Sequence, residues 1–212
     1  MDPTATTVRA VRDVGPDTVA LDIATPDGFA AAPGQFVKLT ATLDGEEESR
    51  FYTVSSPDTD DTFELTVSYD PEEGGAFSEF LLGLESGSTV TVTGPFGADF
   101  YEGESASFVL AGGPGVGPAV GIAEAALRDG NDVTVVYRDD APVHEDRLAA
   151  VAAAGGTVFV LTDDDAVGEA VADAYDGQQL FVYGFADFLD LAERAVEAAG
   201  GDLDGAKVES FG

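Results

Sequence analysis

The sequence contains no cysteine, and this absence excludes several kinds of site. The 212 residues can form no disulfide, no zinc–thiolate site and no iron–sulfur cluster of their own. Any redox chemistry in the chain therefore has to use a bound cofactor. The first residues have neither a basic leader nor a long apolar stretch, so we predict no secretory signal and expect a cytoplasmic location.

Basic residues are scarce: 9 Lys and Arg stand against 41 Asp and Glu, which gives a formal net charge of −32. Such a surface repels nucleic acid and anionic membranes, so polyanion binding is not expected. The composition resembles that of halophilic proteins, because multimolar salt screens the repulsion among carboxylates. We predict that the acidic runs at 46–48 and 163–165 lie in turns. Neither run has the spacing of a calcium loop, so no metal site is predicted.

Long uninterrupted hydrophobic helices are also missing from the sequence. Residues 105–123 carry no charge over about the length of a membrane span. Five glycines and two prolines in that stretch would break a helix, so no membrane insertion is predicted. Apolar residues make up 44% of the chain, which is enough to build a substantial core.

Alternating apolar and polar residues dominate the first half of the chain. This period predicts strands near 7–14, 18–24, 35–42, 50–55, 62–69 and 88–93, and a short helix near 77–84. Turn-forming sequences such as Leu43–Asp44–Gly45 separate the strands. Short strands at this spacing predict a small barrel over residues 1–100.

The pattern changes after Gly103 to apolar strands that alternate with Ala-rich helical stretches. The strands are predicted near 108–111, 133–137, 157–161, 180–183 and 207–211, and the helices near 118–129, 145–154, 166–175 and 186–199. This alternation is typical of a parallel sheet covered by helices. We therefore predict an α/β domain with a parallel sheet over residues 101–212.

A glycine-rich loop at 111–118 follows the first of these strands and opens a helix. Such a loop lets the backbone approach a pyrophosphate closely, and the dipole of the helix favours the negative charge. Pro118 suits the first position of the helix, but it stands where the third glycine of G-x-G-x-x-G would be. A strand-to-helix turn without a ligand is the alternative.

Residues of opposite charge end the next strand. Arg138 can pair with the 2′-phosphate of NADP, whereas Asp139 can accept a hydrogen bond from the 2′-hydroxyl of NAD. The sequence leaves this choice open.

In the first half, Arg50 and Tyr52 point to the same face of a predicted strand. Arginine can bind a phosphate through two parallel hydrogen bonds, and tyrosine can stack on a planar heterocycle. The hydroxyl of Thr53 can form a hydrogen bond with a ring nitrogen. The alternative is an ordinary sheet surface.

Five motifs occur in an order and spacing that make chance an unlikely source. They are Pro33–Gly–Gln–Phe36 (P-G-Q-[FY]), Arg50–Phe–Tyr–Thr53 (R-x-Y-[ST]), Gly75–Ala–Phe–Ser78 (G-x-x-[ST]), Gly94–Pro–Phe–Gly97 (G-P-[FY]-G) and residues 112–118 (G-G-x-G-[IV]-[AG]-P). In these motifs the chain resembles the ferredoxin-NADP reductase family of FAD-dependent oxidoreductases over nearly its whole length. The resemblance implies an antiparallel Greek-key β-barrel that binds FAD over residues 1–100 and a Rossmann-like α/β domain that binds NAD(P) over residues 101–212.

The resemblance implies a role for each motif of the first half. Arg50 and Ser78 would hold the FAD pyrophosphate together with the turn formed by Gly75, Ala76 and Phe77. Tyr52 would pack on the isoalloxazine and Thr53 would hydrogen bond its N5, which makes these two the candidate catalytic residues. The strand residues Val67 to Tyr69 would line the ribityl and adenine side.

The resemblance also implies a nicotinamide site in the second half. Its cofactor-binding residues would be Gly113, Pro114, Gly115, Val116 and Pro118 at the pyrophosphate, Arg138 at the ribose, Tyr183, Gly184 and Phe185 near the reacting ring, and Phe211 over the flavin. Phe211 belongs to the segment 209–212, which resembles the terminal segment of the family. The alternative is that Phe211 lies at the edge of the last strand and packs into the core. The lone histidine, His144, is expected in a surface loop.

The implied activity is hydride transfer from NADH or NADPH to FAD, with electrons passing onward to a ferredoxin, a flavodoxin or an iron–sulfur partner subunit. Two positions depart from the family pattern: Tyr183 replaces a frequent Cys and Pro114 replaces a common Thr. These departures leave open a flavin-binding regulatory or electron-transfer subunit without productive NAD(P)H oxidation. A nucleotide-free scaffold is a third possibility, against which Arg50, Tyr52 and Ser78 argue.

Overall fold

The computed structural model describes residues 1–43, 45–69 and 75–211. Part of the predicted Leu43–Asp44–Gly45 turn and the final residue of the 209–212 segment therefore lie outside the described residues. The first sheet contains β1 (Thr4–Gly15), β2 (Thr18–Ala24), β3 (Phe36–Leu43), β4 (Glu46–Thr53), β5 (Thr62–Ser68) and β6 (Thr89–Phe96), with α1 (Ala76–Leu82) between the last two.

The six strands pair antiparallel in the order β4-β3-β6-β1-β2-β5. A bridge between Val54 and Leu65 joins the two ends of this order and closes the sheet. Alternate side chains fill the interior, including Val37 and Leu39 of β3, and Phe77 of α1 packs into the same core. The predicted Greek-key barrel is confirmed.

The second sheet is parallel, with the order β11-β10-β7-β8-β9. Its strands are β7 (Ala106–Gly112), β8 (Asp132–Arg138), β9 (Thr157–Leu161), β10 (Gln179–Gly184) and β11 (Lys207–Ser210). Its helices are α2 (Val116–Asp129), α3 (Glu145–Ala153), α4 (Asp164–Ala174) and α5 (Ala186–Ala198). Helices α2 and α3 cover one face of the sheet and α4 and α5 the other, which confirms the predicted α/β architecture.

The two acidic runs differ from the expectation that both lie in turns. Residues 46–48 begin β4, because their backbone continues the pairing with β3, where Glu48 lies opposite Ala41. Charged side chains are common on such edge strands, since they discourage pairing with another chain. The run at 163–165 starts α4, where the Asp163 carboxylate accepts a hydrogen bond from the amide of Asp165 at 3.0 Å.

The two halves meet where α2 packs on the barrel. A Cβ atom on Gly117 would lie 2.5 Å from Ser55 Oγ and 2.7 Å from Thr66 Oγ1. Only a glycine allows the helix to approach this closely. Part of the glycine-rich sequence therefore serves the packing of the two halves rather than contact with a ligand.

A buried network of charges crosses the same junction. Glu64 of β5 is only 6% exposed and lies 2.5 Å from Arg147 Nη1 of α3 and 2.6 Å from Arg12 Nη2 of β1. Arg147 also pairs with Glu124 of α2 at 2.7 Å and donates to the carbonyl of Ser55 at 2.8 Å. The carboxylate of the first half is thus neutralised in part by a cation of the second half.

His144 lies in this junction, so the expectation of a surface loop is wrong. The residue is 4% exposed, and a 2.8 Å hydrogen bond joins its Nε2 to Thr66 Oγ1. Burial, together with the positive charges of Arg147 and Arg12, lowers the pKa of His144 to about 3. The imidazole is therefore neutral at physiological pH. The sequence does not reveal the burial of His144, because the start of α3 becomes buried only when the two halves pack together.

Among the described residues, no helix combines the length and the apolar character that crossing a bilayer requires.

Candidate functional site

A cavity of about 530 Å³ opens between the barrel and the α/β half. This volume is in the range typical of small-molecule sites. The barrel contributes Arg50, Phe51, Tyr52, Thr53, Thr66, Ser68 and Ser78, and the second half contributes Pro114, Pro118, Phe185, Glu209, Ser210 and Phe211. Eight of the residues singled out in the sequence therefore line one space.

One corner of the cavity is built to hold an anion. A Cβ atom on Gly75 would lie 3.9 Å from Arg50 Nη2, so the guanidinium stands beside the turn that starts α1. Ala76 is the first residue of that helix, and backbone amides at a helix start have no partner within the helix. Among the described residues Arg50 forms no ion pair, and its Nη1 donates to the carbonyl of Ser49 at 2.9 Å.

Tyr52 presents a flat ring that the barrel holds in place. Its ring stacks on Phe77 at 6.4 Å with an interplanar angle of 22°, and Phe77 is fully buried behind it. Burial raises the pKa of Tyr52, while a hydrogen bond with Ser78 and the charge of Arg50 act in the opposite direction. The hydroxyl is therefore neutral, and its bond with Ser78 ties the ring to α1.

Thr53 and Glu209 form a polar pair across the two halves. Thr53 Oγ1 donates to Glu209 Oε1 at 3.1 Å. Burial, with a smaller contribution from the charge of Asp99, raises the pKa of Glu209 to about 7, although the bond from Thr53 opposes this shift. A carboxyl group with this pKa can hold or release a proton near neutral pH. Glu209 belongs to the quoted 209–212 segment, but the sequence assigned the role there to Phe211.

Two aromatic residues form the opposite wall. The rings of Phe185 and Phe211 meet edge to face at 6.1 Å, and Phe185 is 52% exposed. The amide of Phe211 donates to the carbonyl of Gly184 at 3.0 Å, which fixes the chain after β11. Pro114 and Pro118 complete this side. These four side chains give this side of the cavity an apolar surface.

Other residues expected at the site are placed differently. Val67 packs into the barrel core, and the alternation of β5 turns its neighbours Thr66 and Ser68 toward the cavity instead. Tyr69 does not line either cavity described here; its amide donates to the carbonyl of Asp17 at 2.9 Å. The strand was predicted at 62–69 and is observed at Thr62–Ser68, and of the stretch 67–69 only Ser68 is among the residues that line the cavity.

Tyr183 also points away from the expected reaction centre. It is fully buried, and its hydroxyl donates to the carbonyl of Asp99 at 3.3 Å. A Cβ atom on Gly115 would lie 2.2 Å from the carbonyl oxygen of Tyr183, and Val116 is buried in the same cluster. These three residues position the glycine-rich turn against β10, and neither cavity is lined by their side chains.

A second cavity, of about 230 Å³, lies at the carboxyl ends of the parallel strands. It is bordered by Gly112 and Gly113 after β7, Arg138 at the end of β8, Asp164 at the start of α4, and Phe185 and Asp187 at the start of α5. Ligands of open α/β sheets bind at this edge. Phe185 borders both cavities, so the two spaces are neighbours.

The comparisons with known proteins agree with this geometry. Residues 5–101 match the family described as an oxidoreductase FAD-binding domain. The chain is 37% identical over 156 residues to ferredoxin–NADP reductase B of Sorangium cellulosum, which covers 66% of this chain and 63% of that protein. It is 35% identical over 125 residues to NADH-cytochrome b5 reductase 1 of Aspergillus terreus, covering 54% and 42%. The chain thus spans less than two thirds of the length of these relatives.

Solved structures share the complete fold. The FAD/NAD-binding domain of a nitric oxide dioxygenase from Vibrio cholerae aligns over 100% of both chains with a TM-score of 0.82 and 19% identity. The cytochrome b5 reductase domain of Ulva prolifera nitrate reductase aligns over 99% of this chain and 97% of its own, with a TM-score of 0.80 and 20% identity. At these identities the likeness establishes the fold.

The residues that line the first cavity fit FAD. Arg50 and the α1 turn offer a cationic and amide-rich corner for a pyrophosphate, and the ring of Tyr52 and the Thr53–Glu209 pair lie farther along the same wall. The matching family model, the reductase relatives and the shared fold lead to one conclusion. Residues 5–101 belong to the FAD-binding domain family of oxidoreductases, and the chain is similar to ferredoxin-NADP reductases in sequence and in fold.

Proposed function

We propose that the chain catalyses hydride transfer from a nicotinamide dinucleotide to FAD and passes the electrons to a protein acceptor. Residues 1–100 would hold FAD and residues 101–212 the nicotinamide nucleotide. The acceptor would be a ferredoxin, a flavodoxin or an iron–sulfur subunit, since the chain has no cysteine to bind a cluster itself. When bound, FAD supplies a centre that takes up two electrons as a hydride and releases them singly.

One observation carries this proposal: residues from both halves line a single cavity. The polar groups of the barrel wall, with Arg50 at one end and Thr53 at the other, face the aromatic wall formed by Phe185 and Phe211. Two planar rings can be held face to face in such a space. Positioning of this kind is the main contribution that a protein makes to hydride transfer between cofactors.

Separate residues would bind the pyrophosphate, orient the ring and hold a proton. The fixed fork of Arg50 and the amides at the start of α1 bind a pyrophosphate, and the stacked pair Tyr52–Phe77 orients a ring. Thr53 connects that ring position to Glu209, whose carboxyl group holds a proton near neutral pH. Phe211 and Phe185 exclude water from the same place.

A second candidate is a flavin-binding electron-transfer subunit that does not oxidise the nucleotide. Two observations favour it. Tyr183 is turned into the core and offers no polar group at the reaction centre, and Pro114 has no side-chain hydroxyl. Such a subunit would retain the anion-binding corner at Arg50.

Anaerobic visible spectroscopy distinguishes these candidates. The protein, purified in multimolar KCl and loaded with FAD, is mixed with NADH and, separately, with NADPH. The proposed reductase is expected to lose its flavin absorption band with at least one nucleotide. A band that persists with both would overturn hydride transfer and favour the electron-transfer subunit. Failure to bind FAD at all would reject both candidates.

A further inference from the structure

The second cavity contains a cation that is already neutralised. Arg138 at the end of β8 is the one basic side chain among the described residues that line this cavity, and its side chain is 24% exposed. Its Nε lies 2.5 Å from Asp164 Oδ1 and its Nη2 lies 2.9 Å from Asp140 Oδ1. Two carboxylates therefore lie against the guanidinium, although its buried Nε has no hydrogen-bond partner among the described residues.

A third carboxylate is fixed beside the glycine-rich turn. Asp139 Oδ2 accepts a hydrogen bond from the Tyr137 hydroxyl at 3.1 Å, and its Oδ1 accepts one from the amide of Ala141 at 2.8 Å. A Cβ atom on Gly113 would lie 3.9 Å from the same Oδ2. Because a carboxylate has about four lone-pair positions, Asp139 keeps the capacity to accept a further hydrogen bond from a ligand.

The charges around this pocket oppose an additional anion. Asp164 and Asp187 border the cavity, Asp140 pairs with Arg138, and Asp139 lies beside Gly113, so the one cation that lines this cavity among the described residues has several carboxylates in its neighbourhood. A 2′-phosphate would bring a further charge of about −1.5 to −2 and would have to displace the partners of Arg138. A neutral 2′-hydroxyl needs no such displacement and can donate to Asp139.

We propose that this pocket selects NADH over NADPH. Asp164 and Asp140 withhold Arg138 from a 2′-phosphate, and Asp139 accepts a hydrogen bond from the 2′-hydroxyl of the adenosine ribose. The assignment rests on the proposed function, because it places the adenosine end of the nucleotide in the second cavity. Of the two cofactors that the sequence left open, this assignment selects NAD, which Asp139 would recognise, over NADP, which Arg138 would recognise.

Binding of nucleotide fragments tests the pocket independently of catalysis. The FAD-loaded protein is titrated calorimetrically with ADP-ribose and with 2′-phospho-ADP-ribose, and kcat/KM is measured for NADH and NADPH with ferricyanide as acceptor. We expect ADP-ribose to bind about tenfold or more tightly than its 2′-phosphate, since like charges brought together are strongly unfavourable. The kcat/KM values should show the same preference.

Three variants test the residues named. The double variant Asp140→Asn/Asp164→Asn removes both acidic partners of Arg138. Its preference for ADP-ribose over 2′-phospho-ADP-ribose, and for NADH over NADPH, should fall about tenfold or more. Adding Arg138→Gln to that double variant should restore it. Asp165→Asn is the matched control, because Asp165 lies in the same first turn of α4 but does not pair with Arg138, and it should leave the preference unchanged.

The outcomes separate this assignment from the proposed function. Equal binding of the two fragments, a preference for the 2′-phosphate, or a double variant that behaves like Asp165→Asn would overturn the NADH assignment while hydride transfer stands. If neither nucleotide reduces the flavin and neither fragment binds, the proposed function fails and the assignment fails with it.

Discussion

Thr53 joins the barrel to the last strand of the chain inside the cavity. Its hydroxyl reaches Glu209, and both residues face the space that we assign to the flavin. A hydroxyl and a carboxyl group in this arrangement can position a proton without moving the backbone. The two side chains can be tested separately.

The variant Thr53→Val should slow reduction of the flavin while FAD remains bound. Valine keeps the shape of threonine but removes the hydrogen bond, and we expect a loss of roughly tenfold or more in the reduction rate. Anaerobic stopped-flow absorbance measures this rate. Thr59→Val is the control, because it also removes a buried hydroxyl, one that accepts from the amide of Ala31, away from the cavity. Unchanged reduction in Thr53→Val would contradict the assignment.

Glu209 should make the protein less stable as the pH rises through the weakly acidic range. Its pKa is about 7 in the folded protein against an ordinary value of 4.5, so the folded state keeps a proton that the unfolded state releases. The free energy of unfolding should therefore fall by about 3 kcal/mol between pH 4.5 and pH 7 on account of this group. Glu209→Gln removes the effect, and denaturant unfolding of both proteins across this range measures the difference. Parallel pH profiles would exclude the raised pKa.

The sequence identified residues that line the cavity better than it identified those buried behind or beside it. Arg50, Tyr52 and Ser78 were recognisable because each lies within a short motif on one element, and all three line the cavity. Glu209 and His144 were misjudged because their properties depend on contacts between distant parts of the chain. A local pattern does not report which side chains become buried when two halves of a chain pack together.

At the scale of elements, α2 is held against the barrel by its small residues. Gly117→Ala should destabilise the protein by about 1 to 3 kcal/mol, since the added methyl group would overlap the hydroxyls of Ser55 and Thr66. Gly168→Ala is the matched control in a helix, because no atom lies within 4 Å of its added Cβ. The control should be stabilised by about 0.5 to 1 kcal/mol. Thermal unfolding of the two variants provides the comparison, and a stabilised Gly117→Ala would refute this packing argument.

Strands and helices were predictable in type and order because their hydrophobic periods are regular. Strand β9 was located to the residue, and β2 likewise. Strand β4 begins four residues earlier than expected, since its pairing with β3 outweighs the low strand preference of three glutamates. Which residues of β5 face the cavity was not predictable, because both of its sides are largely buried, so alternation is weak there.

For the whole molecule, the net charge of −32 governs the response to salt. We expect the midpoint of thermal unfolding to rise by about 10 °C or more between 0.1 M and 3 M KCl, as the screening length falls from about 10 Å to below 3 Å. Differential scanning calorimetry at several KCl concentrations measures this rise. Sucrose is the control, because it is excluded from the protein surface but does not screen charges. A midpoint of thermal unfolding that does not change with KCl would contradict the comparison with halophilic proteins.

The charge network at the junction restricts how this chain can be recombined. Glu64 is buried on the barrel, yet one of the cations that neutralise it, Arg147, belongs to the other half. A chimaera that joined this barrel to the nucleotide half of a relative without an arginine at that place would leave the carboxylate short of a counter-ion in a dry environment. A chimaera that keeps Glu64 in the barrel therefore has to keep Arg147, or another cation at its place, in the second half.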